Sequence, residues 1–472
     1  MLTQAIKYKI GTLSNGNRRI YIPHTEALND ANFSSETRYR VDLKGKELIL
    51  TPSTDGPNKV FATSRGENVI ELSNKQITAF LGQNSEYITA TLKKNLIRIS
   101  LHYQEQRQIT REQHFKANLG RLTLTNGSLY AGPGILSLSM HDGMKQAGIK
   151  PVMKFANEID PLAARINAQY NPIWKSSHPS ALFLQDSIES CDLSLLPTGI
   201  DHLDIGQVCT PYSNMTPKAI RDINHKKSGC LFLSTVNAIA KINPATITLE
   251  CTTLFKDSVA YKSITHALQI YGYQFQCTEL KGTDFGDFEH RNRFCLFAYS
   301  NGLSDLFPCI ETVHQHRRNN EQTIADIKEP LSDDHHSWKS YEHVKRRDEM
   351  DNLGYKNILI KDTDNKIPAI VGGYASPKAG APFLPNPSNK DKQRLLTVLE
   401  HCRIRKLPQA MTDAIVSLGS GSLSGQSRTN VSAAHRLLGV SVSPTPWHVL
   451  SYVLFSHALA KFSKQDSLFI AA

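Results

Sequence analysis

Residues 127–161 read GSLYAGPGILSLSMHDGMKQAGIKPVMKFANEIDP. An apolar run ends at Tyr130, a turn holds Gly132 and Gly134, and an amphipathic stretch follows before a second apolar run that stops at Glu158. Short apolar runs bounded by glycine predict buried strands, and apolar residues recurring at three and four predict a helix between them. Further out, ALFLQDS (181–187), HLDIGQV (202–208), ATITLEC (245–251), YQFQCTEL (273–280) and RFCLFAYS (293–300) are strand candidates separated by amphipathic segments. That alternation predicts a parallel, doubly wound α/β sheet with helices on both faces. Gly132 and Gly134 stand at the first strand tip, and Glu158 and Asp186 at the next two. The set suits a nucleoside-containing cofactor bound across the carboxyl edge of the sheet, while a cap or a turn explains any one of them alone.

At about 150 residues per domain, a chain of 472 residues makes two large domains or three smaller ones. With 40% hydrophobic and 21% charged residues it can build cores, and no apolar run reaches a dozen residues, which is too few for a membrane span. The opening MLTQAIKYKIGTLSNG scatters polar residues where an export signal needs an apolar run, so a cytoplasmic protein is expected. Eight cysteines (191, 209, 230, 251, 277, 295, 309 and 402) never form a CxxC pair, which argues against a zinc module or a disulfide framework. Most of them are expected to be small buried hydrophobes. The 54 basic and 43 acidic residues leave a net charge of +11, which favours a polyanionic partner. Residues 1–129 hold 18 basic and 11 acidic residues, so most of the excess is local to the first quarter of the chain.

That quarter contains a repeat. Residues 18–51 predict a strand (RRIYIP), a short polar helix and a hairpin turning at Lys44-Gly45-Lys46. Residues 68–100 replay this order, with the hairpin now turning around Lys93-Lys94-Asn95. RIYIP followed by YRVDLKGKELILTP resembles the AbrB-like swapped-hairpin family, whose copies interlock and often bind DNA. Two copies in one chain would form a pseudo-dimer. A β-rich unit used only for packing remains the alternative.

At the fourth strand tip HLDIGQV delivers Cys209 into a CTPYS loop, and there the chain resembles the DNA cytosine-5 methyltransferases. YAGPG (130–134) is similar to the first motif of that family, NEIDPLAA (157–164) to its second, LQDS (184–187) to its third and VCTPYS (208–213) to its catalytic loop. LEC (249–251) stands at its Glu-Asn-Val position, FEHRNRF (288–294) at its Gln-x-Arg-x-Arg motif and GVSVSP (439–444) at its last motif. The order and the spacing, 41 residues from Cys209 to Glu250 and 82 to Arg291, carry the match. The resemblance implies a Rossmann-like, S-adenosyl-L-methionine-dependent methyltransferase that leaves S-adenosyl-L-homocysteine as product. It implies catalytic roles for Cys209, Glu250, Arg291 and Arg293. It also implies cofactor contacts from Tyr130, Gly132, Pro133, Gly134, Ile135, Glu158, Ile159, Asp186, Ser187, Gly206, Ser441 and Val442.

The chemistry needs these residue types. Cytosine C5 is a poor nucleophile, so a thiolate adds at C6 first and makes C5 enamine-like. A cysteine with an ordinary pKa of about 8.5 needs nearby positive charge, for which Arg291 and Arg293 are the candidates. By the resemblance Glu250 holds N3 and the exocyclic amine, Arg293 binds O2 and Arg291 braces the loop. The departures are Val208 for proline, Cys251 and Thr252 for Asn-Val, Glu289 for glutamine, Val440 for asparagine and Ile135 for glycine. They bear on loop rigidity and cofactor affinity.

The expected organisation is a basic β-rich tandem repeat (1–115), a catalytic domain (120–305), a smaller target-recognition domain (306–405) and a C-terminal segment (406–472) that returns to the catalytic domain. HQHRR (314–318), KRR (345–347) and VGGYASPKAGAPFLPNP (371–387) are candidate groove contacts. The histidines at 314, 316, 335, 336 and 343 are expected in solvated loops with no metal. The expected partner is double-stranded DNA, met by a monomer at the nucleoid of a prokaryotic or phage-type system, as in restriction-modification. Two alternatives stay open: methylation of RNA cytosine, and a DNA-binding regulator that has lost catalysis.

Overall fold

The computed structural model describes residues 2–83, 85–347, 356–424 and 429–470. Part of the expected recognition domain (348–355) and parts of the C-terminal segment (425–428 and 471–472) lie outside the described residues. The chain divides into two compact units, Met1–Thr110 and Arg111–Ala472. The division falls inside the helix Tyr103–Gly120 rather than at residue 115.

In the first unit the repeat is larger than the sequence shows. Each copy has a leading strand (Gln4–Lys9 or Asn58–Lys59), a two-residue strand, the strand Arg18–Pro23 or Asn68–Leu72, a short helix and a hairpin. The six-stranded sheet runs Gln4–Lys9, Tyr87–Lys93, Leu96–Leu101, Glu47–Pro52, Arg38–Lys44, Asn58–Lys59. The leading strand of each copy therefore pairs with the hairpin of the other. The hairpins meet side by side, Ile97 opposite Leu50 and Ile99 opposite Leu48, and these four side chains are buried. Period-two apolar residues on both hairpins face one core, so neither copy closes its core alone.

In the second unit the seven-stranded sheet has the order Ser177–Leu184, Lys150–Asn157, Thr123–Leu129, His202–Gly206, Thr246–Cys251, Asn292–Ser300, Tyr273–Lys281. The first five are parallel, as the alternation predicts. Asn292–Ser300 is the exception: it runs antiparallel to both its neighbours, Thr246–Cys251 and Tyr273–Lys281, so the sheet is mixed. Residues 282–291 are too few for a helical crossover, which takes a dozen or more, so the chain turns back on itself. Strand order reverses between Thr123–Leu129 and His202–Gly206, which opens a crevice at the carboxyl edge.

The C-terminal segment supplies the helices Val431–Gly439 and Pro444–Ile470. The latter packs on the helix Ile135–Gln146, with Trp447, Leu450 and Leu454 in the same core as Leu138 and Met144. The described residues of 306–404 form short elements, many of them around a smaller core of Phe288, Trp338, Ile367, Tyr374 and Phe383 within this unit. Of the eight cysteines, only 251, 295 and 402 are fully buried; Cys230 precedes a helix, Cys309 precedes a short helical turn, and both are exposed.

Gly143 lies where the two helices touch. A Cβ there would sit 2.3 Å from the His448 carbonyl oxygen and 2.5 Å from the Ser451 Cβ. Gly143→Ala should destabilise the protein by about 1–3 kcal/mol through overpacking, although alanine gains about 1 kcal/mol over glycine in an isolated helix. A fall in the urea midpoint measures it.

Candidate active site

The crevice holds a cavity of about 220 Å³. It brings together Tyr130, Gly132, Pro133, Ile135, Glu158, Gly206, Ser441 and Val442 of the expected cofactor set with Cys209 and Glu250 of the expected catalytic set. Gly132 has φ +55° and nothing within 4 Å of where a Cβ would project, so its backbone is open to a ligand. These residues fit a nucleoside-bearing methyl donor, with a glycine turn for close approach and a carboxylate at the second strand tip.

Six expected residues do not line the cavity. Gly134 lies behind it, capping the helix Ile135–Gln146 at φ +84°, where a Cβ would sit 2.3 Å from the Asn171 Nδ2. Ile159 points to solvent. Asp186 and Ser187 follow the edge strand, and the Asp186 Oδ1 accepts the Ser187 N–H at 2.7 Å. Arg293 acts through Glu250, as described below. Arg291 is buried; its Nη2 donates to the Gly439 carbonyl at 2.9 Å and its Nη1 to the Ile370 carbonyl at 3.4 Å. Arg291 thus braces the segment carrying Val440 and Ser441.

The glycine turn is held from outside. Asn167 Nδ2 donates to the Gly132 carbonyl at 3.1 Å, Asn171 Nδ2 to the Gly134 carbonyl at 3.0 Å, and Trp174 Nε1 to Asn167 Oδ1 at 3.1 Å. Both Glu158 oxygens accept backbone N–H groups at 2.7 Å, from Gly132 and Asp160, and burial pushes its carboxyl pKa up. Asp160 caps the next helix through the N–H groups of Leu162 and Ala163 and pairs with Arg436 at 2.7 Å. Sequence reasoning assigned none of this scaffold, since Asn167, Asn171 and Arg436 carry no motif of their own. It also missed Ser128, Leu136, Gln207 and Thr210 in the cavity wall. Their closeness to the motif residues was the available signal.

Cys209 ends the loop after the fourth strand and caps a short 3₁₀ turn, Thr210–Tyr212. Glu250 Oε1 lies 2.8 Å from Arg293 Nε, and both side chains are largely buried. Burial pushes the Cys209 thiol pKa up, Glu250 adds to the rise, and Arg293 and Arg291 act against it. The expected depression of the thiol by the two arginines is therefore outweighed by burial, to which the Glu250 carboxylate adds.

Two of the departures from the family pattern, Thr252 and Glu289, meet specific partners, and Gln207 beside Val208 is also held. Gln207, beside Val208, donates its N–H to the Glu250 carbonyl at 3.0 Å, and its Oε1 accepts from Thr235, which the Tyr130 hydroxyl meets at 2.9 Å. Thr252 Oγ1 donates to the Tyr212 carbonyl at 2.9 Å, tying the Cys209 loop to the strand of Glu250. Glu289 forms a fully buried ion pair with Arg405, and its Oε1 accepts the Ile370 N–H at 2.7 Å. Sequence reasoning missed Arg405, which lies 116 residues away from Glu289.

Two outcomes follow from these charges. Glu250→Gln should raise the rate of Cys209 alkylation by iodoacetamide at pH 8 by about three- to tenfold, since removing a negative neighbour favours the thiolate; Arg293→Ala should lower it. Glu289→Gln should cost about 3–5 kcal/mol in urea unfolding because it strands a buried arginine, and adding Arg405→Met should recover most of the loss.

Residues 124–417 match the family described as C-5 cytosine-specific DNA methylase. Among solved structures, the Dnmt2 methyltransferase of S. pombe is 20% identical over 70% of this chain and 98% of its own, with a TM-score of 0.51. The Entamoeba histolytica methyltransferase EhMeth is 15% identical over 71% of this chain and 98% of its own, also at 0.51. No curated protein matches the chain in sequence. With its matched span, strand order and glycine turn, the chain belongs to the C-5 cytosine-specific DNA methylases and is a Rossmann-like methyltransferase that uses S-adenosyl-L-methionine.

Proposed function

We propose that this protein methylates C5 of cytosine in double-stranded DNA through a covalent adduct on Cys209. The observation that carries this is that Cys209 and Glu250 open on the same cavity as the glycine turn, so thiol, base and cofactor share one enclosed space. When bound, the cofactor supplies an electrophilic methyl group. The Cys209 thiolate adds to C6 of a base extruded from the helix, at a cost of a few kcal/mol offset by contacts to the base and flanking phosphates. Glu250, whose carboxyl pKa burial pushes up, holds a proton toward N3, and Arg293 binds O2. Glu158, Tyr130, Gly132 and Ser441 orient the cofactor.

The segment after the nucleophile supports duplex DNA. It exposes Met215, Ile220 and Ile223 among Lys218, Arg221, Lys226 and Lys227. Apolar wedges flanked by basic residues suit unstacked bases bordered by phosphates. Among the described residues no helix is long and apolar enough to cross a membrane.

Labelled methyl transfer to duplex DNA, with RNA of matched sequence beside it, is the test. DNA should be labelled, and Cys209→Ser should lose at least about a thousandfold in turnover, as removal of a nucleophile does. Duplex DNA carrying 5-fluorocytosine should trap an adduct on Cys209, because fluorine does not leave as a proton does. Label in RNA alone would reassign the substrate, and an adduct on Cys191 or Cys251 would reassign the nucleophile.

A further inference from the structure

Below the catalytic cavity the central strands carry polar side chains where a parallel sheet ordinarily carries Val, Ile and Leu. Asn126 and Ser128, His202 and Asp204, and Thr246 and Thr248 are all buried. Strand pairing sets Asn126 beside His202 and Thr246, and Ser128 beside Asp204 and Thr248. Residues two apart share a face, so these six make two rows, and the next row holds Gly206 and Glu250 of the cavity wall. Ser137 and His141, one turn apart on the helix Ile135–Gln146, are buried with them, and His141 feels the charge of Asp204.

Part of this group is paired internally. His202 Nδ1 lies 2.8 Å from Thr246 Oγ1, and His202 Nε2 lies 3.1 Å from Asp204 Oδ1. Asn126 Oδ1, Ser137 Oγ, both ring nitrogens of His141, Asp204 Oδ2 and Thr248 Oγ1 have no partner in the protein. Leaving such a group dry carries the desolvation penalty of an unsatisfied polar atom, and interiors satisfy them with protein groups or ordered water. Most of these atoms accept, so the occupant must donate. Among the described residues no three His, Cys, Asp or Glu side chains converge to hold a metal, which favours water.

We propose that this space is a hydration site continuous with the catalytic cavity through Ser128, and that its water and Asp204 receive the proton that leaves cytosine C5 when the methyl group takes its place. The role in catalysis rests on the C5 reaction proposed above; the site itself does not. Ser128 forms part of the cavity wall and is paired in register with Asp204 on the neighbouring strand, so it links the cavity to this row. The step balances. The C5–H bond breaks, its electron pair forms the C5=C6 double bond, the C6–S bond breaks to return the Cys209 thiolate, and the proton passes through water to Asp204 Oδ2. Burial pushes the His141 pKa down to about 4, so its ring is neutral and one of its nitrogens donates while the other accepts.

A crystal structure of the full chain that resolves water should show at least one molecule within hydrogen-bond reach of both Asp204 Oδ2 and His141. A dry space, a metal ion or a direct side-chain partner for Asp204 Oδ2 would overturn the site. Single-turnover reactions on duplex DNA tritiated at cytosine C5 test the role. Asp204→Asn should slow tritium release about tenfold or more relative to methyl transfer, with the adduct accumulating. The isosteric Thr248→Val should shift the same ratio in the same direction, which keeps the test open if Asp204→Asn folds poorly. An unchanged ratio in a folded variant, or equal loss of both steps, overturns the proton role. Wild-type protein that releases no tritium overturns the C5 reaction and the proton role with it, while the water positions still decide the site.

Discussion

Buried charge must be paired, and the active region of this protein is organised around that constraint. Three arginines and two glutamates, from segments far apart in sequence, meet behind the cavity: Arg291, Arg293 and Arg405 with Glu250 and Glu289. Arg293 takes Glu250, Arg405 takes Glu289, and the two Nη atoms of Arg291 donate to the carbonyls of Ile370 and Gly439. Burial pushes the Arg291 pKa down, and the neighbouring Arg293 and Arg405 add to the fall. Because each group needs its partner, the cavity-bearing strands, the inserted segment around Ile370 and the last motif at Gly439 are held in one register.

The same logic extends outward with neutral groups. The glycine turn would present free carbonyls to a buried wall, and Asn167 and Asn171 occupy them from the following helix. The Cys209 loop has Val208 where the family has a stiffening proline, and backbone and side-chain bonds from Gln207, Thr235 and Thr252 restrain it instead. Two of the departures from the family motifs, Thr252 and Glu289, thus come with partners. Glu289 is the clearest: a carboxylate where an amide was expected, matched by an arginine reaching in from the end of the helix Val398–Ile404.

Much of the architecture was legible because it is written in local period. Strands in the catalytic sheet are short apolar runs, and their tips carry the residues with chemistry, so Cys209, Glu250 and Gly132 could be placed at one edge before any contact was known. The antiparallel turn at the end of the sheet was not legible, since apolar runs read alike in either direction and only the shortness of residues 282–291 hints at it. The tandem repeat was visible in its hairpins and short helices, but its leading strands were not. Asn58–Lys59 is too short to show a period, and its pairing with Arg38–Lys44 of the other copy is a long-range event.

The sequence by itself determined the order of chemical groups along the chain: a glycine turn, an acidic strand tip, a thiol, a carboxylate and two arginines, at spacings that belong to one reaction class. Order is a one-dimensional property, and motif spacing records it directly. Only the tertiary structure decided which charges neutralise one another, that the Cys209 thiol is pushed up rather than down, and that Asp186 stands outside the cavity while Ser128 lines it. Those outcomes depend on burial and on distances between residues remote in sequence, and electrostatic energy varies with both. A polar residue inside an apolar strand pattern reads as noise in one dimension. In three, Asn126, His202, Asp204 and Thr248 fall on one face and become a place.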